Sequence, residues 1–484
     1  MSNTQPDDLS DVLRFVGDSD DSFWSIECEV RTSPNGGLGV FAKQDLEEGT
    51  VLLKLPKSCL FSASNSSIAN LLVDDEIDGV LALNIAFLYE TTVFKEKSHW
   101  FPYLKSIKIY NDDGLLVLPP SHWSETEKLL LKGSTLDTLH GGLAKDEDVQ
   151  EGFEIAIDLA HKWNGEFGLP IPQGFLDVDL SDKQEVLLKF HRFVATAYAL
   201  SSRIFEIDAF HESALVPIAD LFNHHVTTPD VHFSSLYDVC QLCGEPGMCK
   251  HLVAEAALEA AQQDLSEQEM DESSDEDEDN DDDESKQDEL VDMTLVHAVK
   301  KGQEVFNSYG DLSNALLLAR YGFTVAHNPN DVLHLGKEIR QLARHQRHAQ
   351  RIAWWRKIGY PLWFRSTHKQ ETEPDEELEQ ELPPWLSEMC IDSEGSPAEA
   401  LVAFLNLLSM SELQWKRLYD TSKIQALNKM GDAGVRTFLL RLLAYKGLSL
   451  QLPKPDTPDT IKSLLNSERR ILQKAKYLQT QPHN

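Results

Sequence analysis

Over residues 22–60 the apolar positions come in short runs broken by turn signals. "FWSIECEVRTS", a turn at "PNGG" and "LGVFAKQDLEEGTVLLKLP" predict a small β unit. From about residue 66 to 210 the period changes. In "VLALNIAFLYETTVF" and "VLLKFHRFVATAYALSSRIF" the apolar residues recur three and four apart, which predicts a helical insert. The segment "LVDMTLVHAVKKGQEVFNSYG" then resumes a strand, turn, strand pattern with Lys301 and Gly302 at the turn. Beyond residue 334 the chain is helical again. "SPAEALVAFLNLLSMSELQWKRL", "AGVRTFLLRLLAYKG" and "TIKSLLNSERRILQKAKYLQ" each predict one amphipathic helix, so that 334–484 forms an all-helical domain. The fold class expected is α+β, with a first domain over 22–325 that is interrupted twice: by the helices and by an irregular insertion over about 236–290. No internal repeat is visible.

The length of 484 residues implies two or three domains, and 41% hydrophobic content is that of a soluble globular protein. No apolar run approaches the ~18 residues of a membrane span. The opening "MSNTQPDDLSDVLRFVGDSDD" is acidic and polar, the reverse of a signal or transit peptide. Residues 1–21 are therefore expected to be disordered, and the protein to be cytoplasmic, nuclear or both. Six cysteines are too few for a secreted disulfide framework.

The net charge of -36 changes the picture of partners. Phosphate backbones are held by clustered Lys and Arg, so direct nucleic-acid binding is disfavoured and a basic protein partner is favoured. Thirteen acids and one lysine fall within "DESSDEDEDNDDDESKQDE", residues 271–289, a block expected to be disordered. Ser273 and Ser274 in it read as sites for an acid-directed kinase.

"PIADLFNHHV", residues 217–226, places Asn223, His224 and His225 directly after an apolar run. A buried polar group without a partner costs about 1 to 3 kcal/mol, so something is expected to consume their hydrogen bonds. Alone, "NHH" reads as a capped helix end, "RYGF" as core packing and "GLG" as a turn. Taken together and in order, "NGGLGVFA" (35–42), "SSRIF…PIADLFNHH" (201–225) and "EVFNSYGDLSNALLLARYGF" (304–323) resemble the SET-domain protein methyltransferases. In particular they resemble the subfamily typified by the Rubisco large-subunit lysine methyltransferase and the fungal ribosomal-protein lysine methyltransferases. "HWFPYLKSI", "LPPSHWSETEKLLLKGSTL" and the spacing of the last helices extend the resemblance over roughly residues 22–480.

The resemblance implies small β sheets with a pseudoknot, a C-terminal substrate-binding domain, S-adenosylmethionine as cofactor and a lysine as methyl acceptor. It assigns the catalytic tyrosine to Tyr309. Cofactor contacts fall to Gly36, Gly37, Leu38, Gly39, Ser202, Arg203, Asp220, Asn223, His224 and Tyr321, and the acceptor channel to Phe233 and Tyr321. The chemistry fits these types: a guanidinium fork suits the cofactor carboxylate, and glycine lets backbone approach a ligand closely. The expected substrate is a basic ribosomal protein of the large subunit or a translation factor, met by a monomeric enzyme. Histone lysine, an actin-type histidine, or a non-catalytic binding role for the same fold stand as alternatives. His225 reads as structural. Two positions depart from the family: Ala195 stands where relatives often carry tryptophan, and Phe233 aligns loosely with a channel tyrosine.

"VCQLCGEPGMCKH" offers Cys240, Cys243, Cys249 and His251, four donors that can close a tetrahedral structural zinc site. A reduced, metal-free loop is the other reading, because Cys-X-His is closer than the usual ligand spacing. Arg340, Arg344, Arg347 and Arg351, four, three and four apart, line one helical face, read as solvated or as a docking face for the acidic run or ribosomal RNA.

Overall fold

The structure, a computed structural model, describes residues 7–34, 36–138, 143–144, 147–235, 239–241, 244, 249–251, 290–342, 346–367, 384–428 and 433–480. The acidic run with Ser273 and Ser274, together with Cys243 and Arg344, lies outside them. The chain divides into two units, residues 1–118 with 147–310, and residues 119–146 with 311–484.

The first unit is built on three small antiparallel sheets. Strands β1 (Phe23–Trp24), β4 (Val51–Pro56), β8 (Leu290–Leu295) and β7 (Val231–Ser234) form one sheet in the order β1-β4-β8-β7. Val291, Met293 and Leu295 on β8 alternate inward and bury their side chains, as the period of two requires. A second sheet joins β2 (Cys28–Thr32), β3 (Leu38–Ala42) and β9 (Glu304–Val305), with Val40 opposite Val305 and Phe41 opposite Glu304. The hairpin β5 (Ile204–Glu206) and β6 (Ser213–Leu215) is the third.

The sheets pack with helices Gly79–Leu88, Glu147–Phe167 and Lys183–Ser201 around one core that includes Trp163, Phe193 and Phe222. Asp182 caps the last of these helices by accepting from the N–H groups of Gln184 and Glu185. The helical pattern read through residue 210 stops at Ser201, since residues 204–206 are claimed by pairing with 213–215.

The N-terminus corrects an expectation. Residues Asp7–Gly17 form a helix, not a disordered tail, and bury Leu9, Val12, Phe15 and Val16 in the first core. Their spacing is helical, and Asp8 and Asp11 beside them pair with Lys108 and Lys105.

Among the described residues the second unit is helical with one short pair of strands, Leu333–His334 against Cys390–Ile391, so it is not all-helical. It also begins earlier than residue 334 and recruits residues 119–146 from the expected insert. Leu131 and Leu136 bury with Leu450, Ile461, Leu464 and Leu465, and the Thr135 N–H donates to Glu468 at 2.7 Å. At Gly133, φ is +82° and a Cβ would overlap the Ser449 carbonyl, so only glycine closes this joint. The segment read as one helix over 396–418 is two, Glu399–Ser409 and Glu412–Thr421. Ser411 and Gln414 form a capping box that starts the second.

The arginine face is corrected at Arg351. Its side chain is buried, and Nη1 donates to the carbonyls of Leu407, Leu408 and Met410 at 3.1, 2.9 and 2.7 Å. It caps the C-terminal end of helix Glu399–Ser409, where unpaired carbonyls collect. Arg340 remains exposed.

Candidate functional site

The segment 217–226 is held by the strand end that crosses it. Ile218 is fully buried with φ of +70°, a left-handed conformation that costs a β-branched residue about 1–3 kcal/mol. A 3-10 turn over Ala219–Leu221 follows, and the chain then runs beside residues 305–309. The N–H of Asn307 donates to the Asn223 carbonyl and the N–H of His225 to the Asn307 carbonyl, both at 2.8 Å. Farther along, Phe306 and Asp230 bond through backbone and carboxylate.

The three polar side chains are consumed as follows. Asn223 Nδ2 donates to the Leu38 carbonyl at 2.9 Å and to Glu304 Oε1 at 2.6 Å. His224 Nδ1 accepts the Tyr309 N–H at 3.0 Å, and the two rings stack with centroids 5.1 Å apart. His225 Nδ1 accepts from Thr228 N at 3.1 Å and organises its own loop. The hydroxyl of Tyr309 donates to the Phe222 carbonyl at 3.1 Å.

Gly39 belongs to the same knot. A Cβ there would overlap Glu304 Oε1 and lie 2.9 Å from Asn223 Nδ2. Gly36 and Gly37 have φ of +105° and +68° with open space beside them, and Leu38 pairs with Thr32. Glu304 and Ser33, whose hydroxyl donates to Glu304 Oε2 at 2.9 Å, were not singled out in the sequence. One glutamate in a strand next to a Lys-Gly turn carries no signal of burial.

Helix Lys183–Ser201 delivers Ser202 and Arg203 to the start of β5. Ser202 Oγ donates to the Ala199 carbonyl and finishes the helix. Arg203 Nη1 donates to Asp220 Oδ2 at 3.0 Å, and the Tyr103 hydroxyl donates to the same oxygen at 3.2 Å. Burial pushes the Asp220 carboxyl above the usual carboxylate range against the pull of Arg203. Burial and the Asp220 charge push Tyr103 well above the ordinary tyrosine value. Among the described residues Asp220 Oδ1 is buried with no hydrogen-bond partner. Tyr103 is a further member that sequence reading missed. Phe233 on β7 packs against Phe205 of β5 with ring centroids 4.7 Å apart and planes tilted by 43°.

Tyr321 ends helix Asn314–Tyr321 in the second unit, where its ring lies 6.2 Å from Phe323. The remaining predicted residues stand in the first unit. Ala195, where relatives often carry tryptophan, is fully buried in helix Lys183–Ser201.

Of the soft donors, Cys240, Cys249 and His251 converge, with one ligand atom from each within 4.8 Å of the others. Among the described residues no helix is long and apolar enough to cross a membrane.

These residues offer what S-adenosylmethionine demands. Arg203 is a guanidinium fork for a carboxylate, the orphaned Asp220 oxygen can accept from an ammonium group, and the glycine-edged strand at 36–39 can lie close to a ligand.

No protein-family model matches the chain. Ribosomal lysine N-methyltransferase 3 of Saccharomyces cerevisiae is 44% identical over 546 residues, covering 100% of this chain and 98% of that protein. The N-lysine methyltransferase setd6 of Salmo salar is 25% identical over 305 residues, 60% of this chain and 52% of that protein. A solved structure of Rubisco LSMT bound to AdoMet shares the fold, with TM-score 0.53 at 15% identity over 98% of this chain and 92% of that one.

Proposed function

The chain belongs to the SET-domain protein-lysine methyltransferases, S-adenosylmethionine-dependent enzymes, and is related to the fungal ribosomal-protein methyltransferases; we propose that its substrate is a lysine of a large-subunit ribosomal protein. The observation that carries this reading is the full-length likeness to a protein named for ribosomal lysine methylation. The charge of -36 supports it, since free ribosomal proteins are strongly basic.

S-adenosylmethionine, when bound, supplies an electrophilic methyl on a cationic sulfur for in-line transfer to nitrogen. In this reading Arg203 takes the cofactor carboxylate, while Asp220 and Tyr103 hold the guanidinium in place. Gly36, Gly37, Leu38, Gly39, Asn223 and His224 form the polar wall. Because the Asn223 amide is spent on Leu38 and Glu304, its part is to fix that wall's shape.

Only a neutral amine attacks. With an unperturbed lysine pKa near ~10.4, about one amine in 2,500 is neutral at pH 7, a deficit of roughly 4.6 kcal/mol. In this reading Phe233, whose ring lies against that of Phe205, lines the acceptor channel, and an apolar lining disfavours the charged form. Tyr309 directs its own proton to the Phe222 carbonyl, which leaves its oxygen lone pairs to accept from the amine and from methyl C–H groups. It acts by orienting, and orientation of this kind accelerates transfer.

The test is methyl transfer by the purified protein from labelled S-adenosylmethionine to separated large-subunit ribosomal proteins, with the modified residue located by mass spectrometry. A labelled lysine in one of them supports the proposal. Transfer to histidine, or to none of these proteins, removes it.

A further inference from the structure

We infer that Cys240, Cys249 and His251 hold a structural zinc ion, which folds the start of the 235–289 connection onto the loop between β5 and β6. The proposal is independent of the substrate. It stands on three described donors, with Cys243 lying outside the described residues.

The separations fit a tetrahedral ion. Zn–S bonds of about 2.3 Å and Zn–N bonds of about 2.0–2.1 Å give a thiolate-to-imidazole edge of roughly 3.6 Å. The Cys240 and Cys249 sulfurs lie 3.8 and 3.9 Å from His251 Nδ1 and all three ligand atoms lie within 4.8 Å of one another, so closing on an ion needs a few tenths of an ångström at the imidazole and at most about 1 Å between the sulfurs. Both cysteines are buried while His251 is exposed, which leaves a route for the ion. No disulfide joins the described cysteines. Two soft sulfur donors with an imidazole select zinc over magnesium or calcium.

The turn that carries the donors is built for this. The Gly244 N–H donates to the Cys240 carbonyl at 2.8 Å and its φ is +75°, which ties the backbone at Gly244 back to Cys240. A Cβ at 244 would lie 2.8 Å from Phe210 Cδ1, so the turn rests its backbone on that ring. Nearby, Ser235 Oγ donates to the Ile207 carbonyl at 2.8 Å. The receiving loop is rigid, because Asp208 accepts the N–H groups of Phe210 and His211 and pairs with buried Lys57 at 2.7 Å. Among the described residues of 235–251 the buried side chains are only Val239, Cys240 and Cys249, too few for a core, and a metal supplies what packing does not.

The experiment is metal analysis of the full-length protein purified under reducing conditions without chelator. About one zinc per chain is expected, lost in Cys249→Ser and in His251→Ala and kept in Cys390→Ser. Because a ligand variant can fail to fold, the stripped wild-type protein is also titrated with Co2+ alone, which should give thiolate charge-transfer absorption that Zn2+ abolishes. Wild-type protein without zinc and without the cobalt band overturns the proposal. So does zinc that survives both ligand substitutions.

Discussion

His224 and Tyr309 hold each other twice: the Tyr309 N–H donates to His224 Nδ1 at 3.0 Å, and the rings stack with planes 25° apart. The backbone bond fixes where the tyrosine starts, and the stacking together with the bond to Phe222 fixes where its oxygen ends. The Tyr309→Phe variant keeps the stack and loses the oxygen. Turnover should fall by about 10²-fold or more, with cofactor affinity unchanged. Single-turnover rates and calorimetry decide this, and full turnover in the variant removes Tyr309 from the chemistry.

Gly39 and Asn223 should fail together. Gly39→Ala drives a methyl into Glu304 and Asn223, and Asn223→Ala strips donors from the Leu38 carbonyl and Glu304. Each should cost about 1–3 kcal/mol of stability and weaken cofactor binding at least about tenfold. Thermal unfolding with and without S-adenosylmethionine reads both. A variant with normal affinity shows that this wall does not shape the cofactor site.

Arg351→Ala should destabilise the second unit by about 3 kcal/mol, since it leaves buried carbonyls of Leu407 and Leu408 unpaired. Arg351→Lys should rescue little, because a point charge cannot reproduce the fork. Denaturant unfolding measures the loss, and wild-type stability in both variants contradicts the capping role.

Glu468 predicts a pH dependence. Burial pushes its carboxyl from 4.5 up to about 7, opposed by the Lys446 charge and the Thr135 N–H. Below pH 4.5 both folded and unfolded states carry the proton. As pH rises toward 7 the unfolded state releases it while the folded state retains it, so stability falls by on the order of 3 kcal/mol and then levels. Glu468→Gln still accepts from Thr135 and should flatten this decline. Parallel stability curves for wild type and variant between pH 4.5 and 7 contradict it.

The strands within 22–60 and 290–305 and the order of the three stretches that meet at Asn223 and Tyr309 were legible, because alternation, glycine spacing and polar residues after an apolar run are local signals, whereas β5, read as the end of a helix, was not. The N-terminal helix was missed, because the acidic composition of the opening residues suggested solvation more strongly than Leu9, Val12, Phe15 and Val16 suggested a face. Glu304, Tyr103 and Arg351 were not legible. Each is a polar residue whose burial is created by a partner far along the chain: Ser33, Asp220 and the carbonyls after Phe404. Nor does any local signal assign residues 119–146 to the second unit, since Leu131 and Leu136 find Leu464 and Leu465 only after folding.

The most direct test of a lysine methyltransferase centred on Tyr309 is mass spectrometry of large-subunit ribosomal proteins from three strains: one with the gene, one without it and one carrying the Tyr309→Phe allele. One methyl-lysine is expected to be present in the first strain and missing from the other two. Identical lysine methylation in all three would contradict it.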